Sequence, residues 1–94
     1  MTMQRTPLLL SRIMGRGAAL DPHIEVVTLQ AGGTHRQTLQ STWDRANQIA
    51  SALSEHGIGI GDRVASFMWN NYRHLELYQG VTSMGAVLHT LNIR

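Results

Sequence analysis

Apolar positions recur along this chain with two different periods, and each change of period marks an element. Leu9, Leu10, Ile13 and Met14 share one side at helical spacing, with Ser11, Arg12 and Arg16 on the other, which predicts a short leading helix. Thr6 is its expected cap and Pro7 its first helical residue, a position that needs no amide donor; Gly15 and Gly17 weaken its end. Ile24 to Leu29 is rich in β-branched residues and predicts a strand. Gln30-Ala31-Gly32-Gly33 supplies a turn, and Thr34 to Thr38 the partner strand of a hairpin. Trp43, Ala46, Ile49, Ala50 and Leu53 then form a stripe at three- and four-residue steps. Ser41 or Thr42 is the expected cap of this helix, Ser41 with Asp44 resembling a capping box, and Gly57 ends it. After a turn at Gly59, Gly61 and Asp62, Val64 to Trp69 predicts a buried strand. Asn70 or Asn71 opens a further helix carrying Leu75, Leu77, Tyr78, Val81 and Met84; Gly85 stops it, and Ala86 to Leu88 predicts a second buried strand.

The fold class is therefore α/β: an amino-terminal helix, a β-hairpin, a second helix, and a βαβ unit. Strand, helix and strand with short joints imply a right-handed crossover between parallel strands. Parallel strands need cover on both faces, and this pattern supplies few helices to give it, so the sheet reads as unfinished.

Length and composition narrow the functional classes. With 94 residues there is room for one small domain. Such a chain buries only about 60–65% of its unfolded surface, so its core is thin. Hydrophobic residues make up 43%, too many for a disordered chain. No apolar run approaches the roughly 20 residues that cross a bilayer, or the 7–15 of a secretory leader, and the cytoplasm is the expected location. Cysteine is absent, which excludes disulfides, thiolate metal sites and a cysteine nucleophile. Every basic residue is arginine, at positions 5, 12, 16, 36, 45, 63, 73 and 94, interspersed with acids after residue 20. That dispersal does not make the basic stripe with interleaved aromatics that nucleic acid requires. The leading segment has no acid before Asp21, which suits a membrane-surface helix; docking on a larger body is the expected role, and a membrane is not an expected partner.

Four constellations bear on possible chemistry. Gly57, Gly59 and Gly61 close a helix and lead into a strand, the reverse of a dinucleotide-binding glycine loop. His23, His35, His56, His74 and His89 lack the pairwise spacing of metal ligands and read as surface or pocket-lining residues. No serine sits in a nucleophile elbow, and Ser83 reads as small packing near a helix end. His74 and Glu76, two apart on a helix, point in different directions. Trp43 and Trp69 are expected core anchors.

From Leu39 onward the residues resemble a known family. Ala50-Ser-Ala-Leu-Ser-Glu-His-Gly-Ile-Gly-Ile-Gly-Asp-Arg-Val-Ala65 is similar to the helix, glycine turn and strand near the start of adenylate-forming enzymes. Trp69-Asn-Asn-Tyr-Arg-His-Leu-Glu-Leu-Tyr78 and Met84-Gly-Ala-Val-Leu-His-Thr-Leu-Asn92 are more specific. They resemble the medium- and long-chain branch of the AMP-forming acyl-CoA synthetases. The resemblance departs at Ile93, where the family pattern continues Pro-Arg-Leu. It implies an amino-terminal portion, residues 1–94, of the large domain of an AMP-binding fatty-acid–CoA ligase. In that family a carboxylate attacks the α-phosphate of ATP with Mg²⁺ present, and coenzyme A then displaces AMP. A Ser/Thr/Gly-rich loop and lysines neutralise the phosphates. Neither the loop nor any lysine occurs here, so no catalytic, cofactor-binding or metal-binding residue is assigned, and no cofactor is expected on this segment alone. The expected role is an inactive scaffold segment whose partner is the remainder of the ligase or a homodimer mate. Fatty acid, ATP and CoA belong to a full-length enzyme. The alternative is a stand-alone α/β interaction or regulatory module without catalysis.

Overall fold

A computed structural model describes residues 7–94. The elements run in the order α1 (Leu10–Leu20), β1 (Glu25–Gln30), β2 (Gly33–Thr38), α2 (Leu39–Glu55), β3 (Arg63–Ser66), α3 (Tyr72–Ser83) and β4 (Val87–Thr90). The α/β class and the element order match the sequence reading; several boundaries and exposures do not.

Helix α1 begins three residues after Pro7, with extended Leu9 at its N-cap and no side-chain cap bond; the proposed Thr6 cap lies outside the described residues. It runs straight through Gly15 and Gly17 instead of ending there. Gly15 lies under the indole of Trp43, where an added Cβ would stand 3.3 Å from the ring, so the glycine serves helix contact. The hairpin pairs antiparallel in the register Glu25↔Thr38 to Gln30↔Gly33, leaving a two-residue turn at Ala31-Gly32.

Helix α2 starts earlier than the Ser41 or Thr42 cap implied. Thr38 is the N-cap, its Oγ1 accepting from Ser41 N at 3.0 Å. The connection from α1 into β1 satisfies two more of the first-turn donors: Leu39 N reaches Ile24 O at 2.8 Å and Gln40 N reaches Pro22 O at 3.2 Å. Tertiary bonds of this kind move the helix start back onto the strand end. Thr42, freed from capping, is fully buried and donates to Thr38 O.

Asn71 caps α3, its Oδ1 accepting from Arg73 N and His74 N, and Thr28 of β1 accepts from Tyr72 N at 3.1 Å. Gly57 and Gly85 follow α2 and α3 at φ +88° and +84°, conformations that place a side chain under strain. Strands β3 and β4 pair in parallel from Arg63↔Val87 to Ser66↔Thr90 around α3. Both are displaced from the expected spans: β3 ends at Ser66 instead of Trp69, and β4 runs to Thr90 instead of Leu88. Nor are they buried on both faces. Val64, Ser66 and Leu88 turn inward, whereas Phe67 is 65% and Val87 49% exposed. Trp69, expected in the core, is 62% exposed just past the strand end; Trp43 is half-buried against α1.

The interior lies where α2 crosses α3, with α1 across both. Its apolar members are small, Ala18, Ala46, Val81 and Ala86, and they share the space with Thr28, Thr42, Ser66, His74, Glu76 and Gln79. The two sheets, β1-β2 and β3-β4, remain separate pairs.

Candidate functional site

Two polar groupings are assembled by the fold. The first joins the hairpin to both long helices. Glu76, 1% exposed, accepts through Oε2 from Arg45 Nε at 2.6 Å and from Gln37 Nε2 at 3.0 Å. Gln37 also donates to Thr42 Oγ1 at 2.7 Å, and its Oε1 lies 2.9 Å from His35 Nε2. The His35 ring stacks on Tyr72 at 3.7 Å between centroids. The carboxylate beside it raises the Arg45 pKa further above its ordinary value, by hydrogen bond first and by charge second. This chain of contacts ties β2, α2 and α3 together, with the Glu76 carboxylate buried and the Arg45 side chain half-exposed at its edge.

The second grouping lies past the carboxyl ends of β3 and β4. His74, buried on the first turn of α3, holds Ser66 Oγ at 2.9 Å through Nε2 and Asn70 Oδ1 at 2.9 Å through Nδ1. An amide oxygen only accepts, so Nδ1 carries a proton and Ser66 can donate to Nε2 of the neutral ring. Serine, histidine and an amide in series share the outline of an activated nucleophile. The burial argues otherwise: Ser66 Oγ sits on the covered face of β3, 6% exposed, and its proton is used inside the fold. An open cleft of about 250 Å³ adjoins this trio, lined by Trp69, Asn70, His74, Tyr78, Thr90 and Asn92 among others. Ligands of open parallel sheets sit beyond the strands' carboxyl ends, which makes this cleft the best-placed candidate site in the described residues.

Sequence reasoning assigned no site residue, and it missed both groupings. His74 and Glu76 do point apart, toward different partners, as their spacing required. The histidines expected at the surface or in a pocket divide: His23, His56 and His89 are exposed, His35 is half-buried, and His74 is buried at the cleft. The available signal for Glu76 was an acid flanked by Leu75 and Leu77 in an apolar helix. Its partners Gln37 and Arg45 lie 39 and 31 residues away, beyond any local pattern. Among the described residues no three His, Cys, Asp or Glu side chains gather as a metal would need.

Comparison with known proteins gives this geometry its context. A family model described as AMP-binding enzyme matches residues 16–94. The chain is 45% identical over 94 residues to a long-chain-fatty-acid–CoA ligase of Thermus thermophilus, covering 99% of this chain and 17% of that protein. It is 36% identical over 96 residues to a medium-chain-fatty-acid–CoA ligase of Ectopseudomonas oleovorans, again covering 17% of the relative. Among solved structures, a Mycobacterium tuberculosis fatty acyl CoA synthetase superposes with a TM-score of 0.80 at 28% identity, covering 89% of this chain and 16% of that one. The N-terminal domain of FACL13 from the same organism superposes with a TM-score of 0.85 at 27% identity, covering 94% and 22%. This chain thus spans about a sixth of the curated relatives it matches. With its own elements in the same arrangement, and a family model matched over all but the first fifteen residues, the chain belongs to the AMP-binding enzyme family.

Proposed function

We propose that this chain is an amino-terminal scaffold segment of a fatty-acid–CoA ligase and is not itself a catalyst. The reaction it serves joins a carboxylate to AMP at the expense of ATP, then passes the acyl group to the thiol of coenzyme A. One observation carries the reading: 99% of this chain aligns, at 45% identity, with about a sixth of an acid–CoA ligase, and it holds no lysine. Acyl-adenylate formation develops charge on phosphoryl oxygens, and stabilising that charge is usually the largest catalytic contribution. The two polar groupings described above offer no such field. Their members are bound to one another, and Glu76 and Arg45 neutralise each other. The segment's contribution is to hold α2, α3 and the first parallel strand pair in register for the polypeptide that carries ATP, Mg²⁺ and CoA.

A chimera tests this. Residues 16–94 replace the corresponding segment of the Thermus thermophilus ligase, and pyrophosphate release is followed with a long-chain acid, ATP and Mg²⁺. The chimera is expected to retain activity within about tenfold of the parent, because single core misfits of 1–1.5 kcal/mol are tolerated by a large domain. The isolated chain is expected to release none. A folded but inactive chimera overturns the scaffold reading, and pyrophosphate release by the isolated chain overturns the claim of inactivity.

A further inference from the structure

His74 is 4% exposed, and both of its ring nitrogens are engaged within one short stretch of chain. Nε2 meets Ser66 at the end of β3, Nδ1 meets Asn70, and the histidine itself lies on the first turn of α3. The Tyr78 ring packs beside the imidazole at 4.7 Å between centroids. The connection of residues 67–71 is thus closed by side chains at both of its ends. Further bonds hold the same ends. Asn71 Oδ1 accepts from Arg73 N and His74 N, and Leu91 N, just past β4, donates to Ser66 O at 2.8 Å. All of these partners lie inside this chain, so the arrangement does not depend on which of its faces the rest of a ligase covers.

We propose that Ser66, His74 and Asn70 form a strap that holds the β3–α3 connection in one path, and that His74 is a positioning residue for the ligase. Stability is not what the strap provides. Replacing hydrogen-bonded partners by apolar groups of the same shape can be nearly neutral. A fully satisfied polar network contributes something else: it rigidifies the groups it joins and specifies one arrangement of them. An imidazole protonated on Nδ1 alone offers one donor and one acceptor at a fixed separation. It therefore accepts only a connection that brings an amide oxygen to one side and a hydroxyl to the other. The place of the strap gives this rigidity a use. The connection leaves the carboxyl end of a parallel strand, where open sheets of this class take their ligands. A displacement of about 1 Å caused far from the chemistry can cost about a hundredfold in rate. His74 acts through the connection and not on a reacting group. The effect on the reaction rests on the ligase reading; the strap itself rests on the geometry alone.

The test uses the Thermus thermophilus chimera that carries residues 16–94. Deuterium exchange, read by mass spectrometry on peptides spanning residues 67–73, reports the strap without reference to activity. In His74→Leu these amides are expected to exchange about tenfold faster or more, while Tm stays within about 2 °C of the parent chimera's. The kcat/KM for pyrophosphate release is expected to fall about tenfold to a hundredfold. His74→Gln places an amide donor and acceptor at nearly the separation of the two ring nitrogens, and is expected to restore most of both. Asn70 is exposed, so Asn70→Ala is expected to fold whatever the fate of His74→Leu, and to speed exchange over the same residues by a smaller factor. Adding Ser66→Ala to His74→Leu is expected to change neither readout further, because the strap is already open. Unchanged exchange at residues 67–73 in Asn70→Ala, or in a folded His74→Leu, overturns the strap. Faster exchange with unchanged kcat/KM overturns the positioning role, as does a loss of kcat/KM that His74→Gln does not restore. A folded parent chimera without activity removes the ligase reading and the positioning role with it, while exchange still decides the strap, so the two failures are told apart.

Discussion

Glu76 shows what a single residue does in this fold. A carboxylate cut off from water is expensive unless its oxygens are occupied, and here a guanidinium and an amide occupy one of them from two different elements. Glu76→Ala leaves Gln37 short of an acceptor, opens a void between α2 and α3, and releases Arg45 to solvent. The expected loss is about 2 kcal/mol from the unmade amide bond and the void together. A lower urea midpoint of the Thermus thermophilus ligase chimera that carries this segment, followed by circular dichroism, reports it. Glu76→Gln keeps the shape and an acceptor and is expected to lose less; an equal loss would mean that charge, not geometry, secures the helix pair. The surface pair Arg36–Glu25, with both side chains more than half exposed at 2.6 Å, contributes little by comparison.

Among the elements, the crossing of α2 over α3 sets the scaffold's dimensions. Gly80 permits it: a Cβ there would stand 2.6 Å from Ala46 O and 3.3 Å from Ile49 Cβ, so the helices could not approach as they do. Gly80→Ala is expected to destabilise by about 3 kcal/mol, the upper end of the cost of overpacking, because the obstacle is backbone and cannot turn aside. Gly17→Ala is the counterpart. It lies in α1 with nothing within 4 Å of an added Cβ, and is expected to stabilise by about 0.5–1 kcal/mol through helix propensity. Paired urea midpoints separate the two effects, and a destabilising Gly17→Ala would show that α1 is not held as described. The elements also explain why boundaries strayed from the local pattern. Thr38 caps α2 because the connection into β1 offers Ile24 O and Pro22 O to the next two amides, and Tyr72 N donates to Thr28 Oγ1 across 44 residues.

As a whole molecule, the chain is built outward. Its radius of gyration is 14.7 Å, against about 12 Å for a compact domain of this length. The buried apolar set is alanine and valine, while Ile60, Phe67, Trp69 and Leu91 are exposed around the β3-β4 pair. A parallel pair covered by helix on one face leaves the other without support. The isolated chain is accordingly expected to be marginally stable, with a broad, weakly cooperative calorimetric transition and binding of a hydrophobic dye at neutral pH. A sharp transition without dye binding would favour the stand-alone module instead.

Element type and order were legible because they depend on local periodicity. The stripe from Trp43 to Leu53, the β-branched run of β1, and Gly57 and Gly85 at the helix ends each act within a few residues. The motifs from Ala50 to Asn92 likewise carried the family. Other features depended on the packed structure. Trp69 and Phe67 read as core because a strand pattern implies two covered faces, yet the cover has to come from other elements. The Glu76 and His74 contacts join residues from separate elements, and local spacing does not determine distances between elements. For α1 the pattern showed an apolar helix with arginines, but only the packed structure revealed that its small residues face inward and its large ones face out.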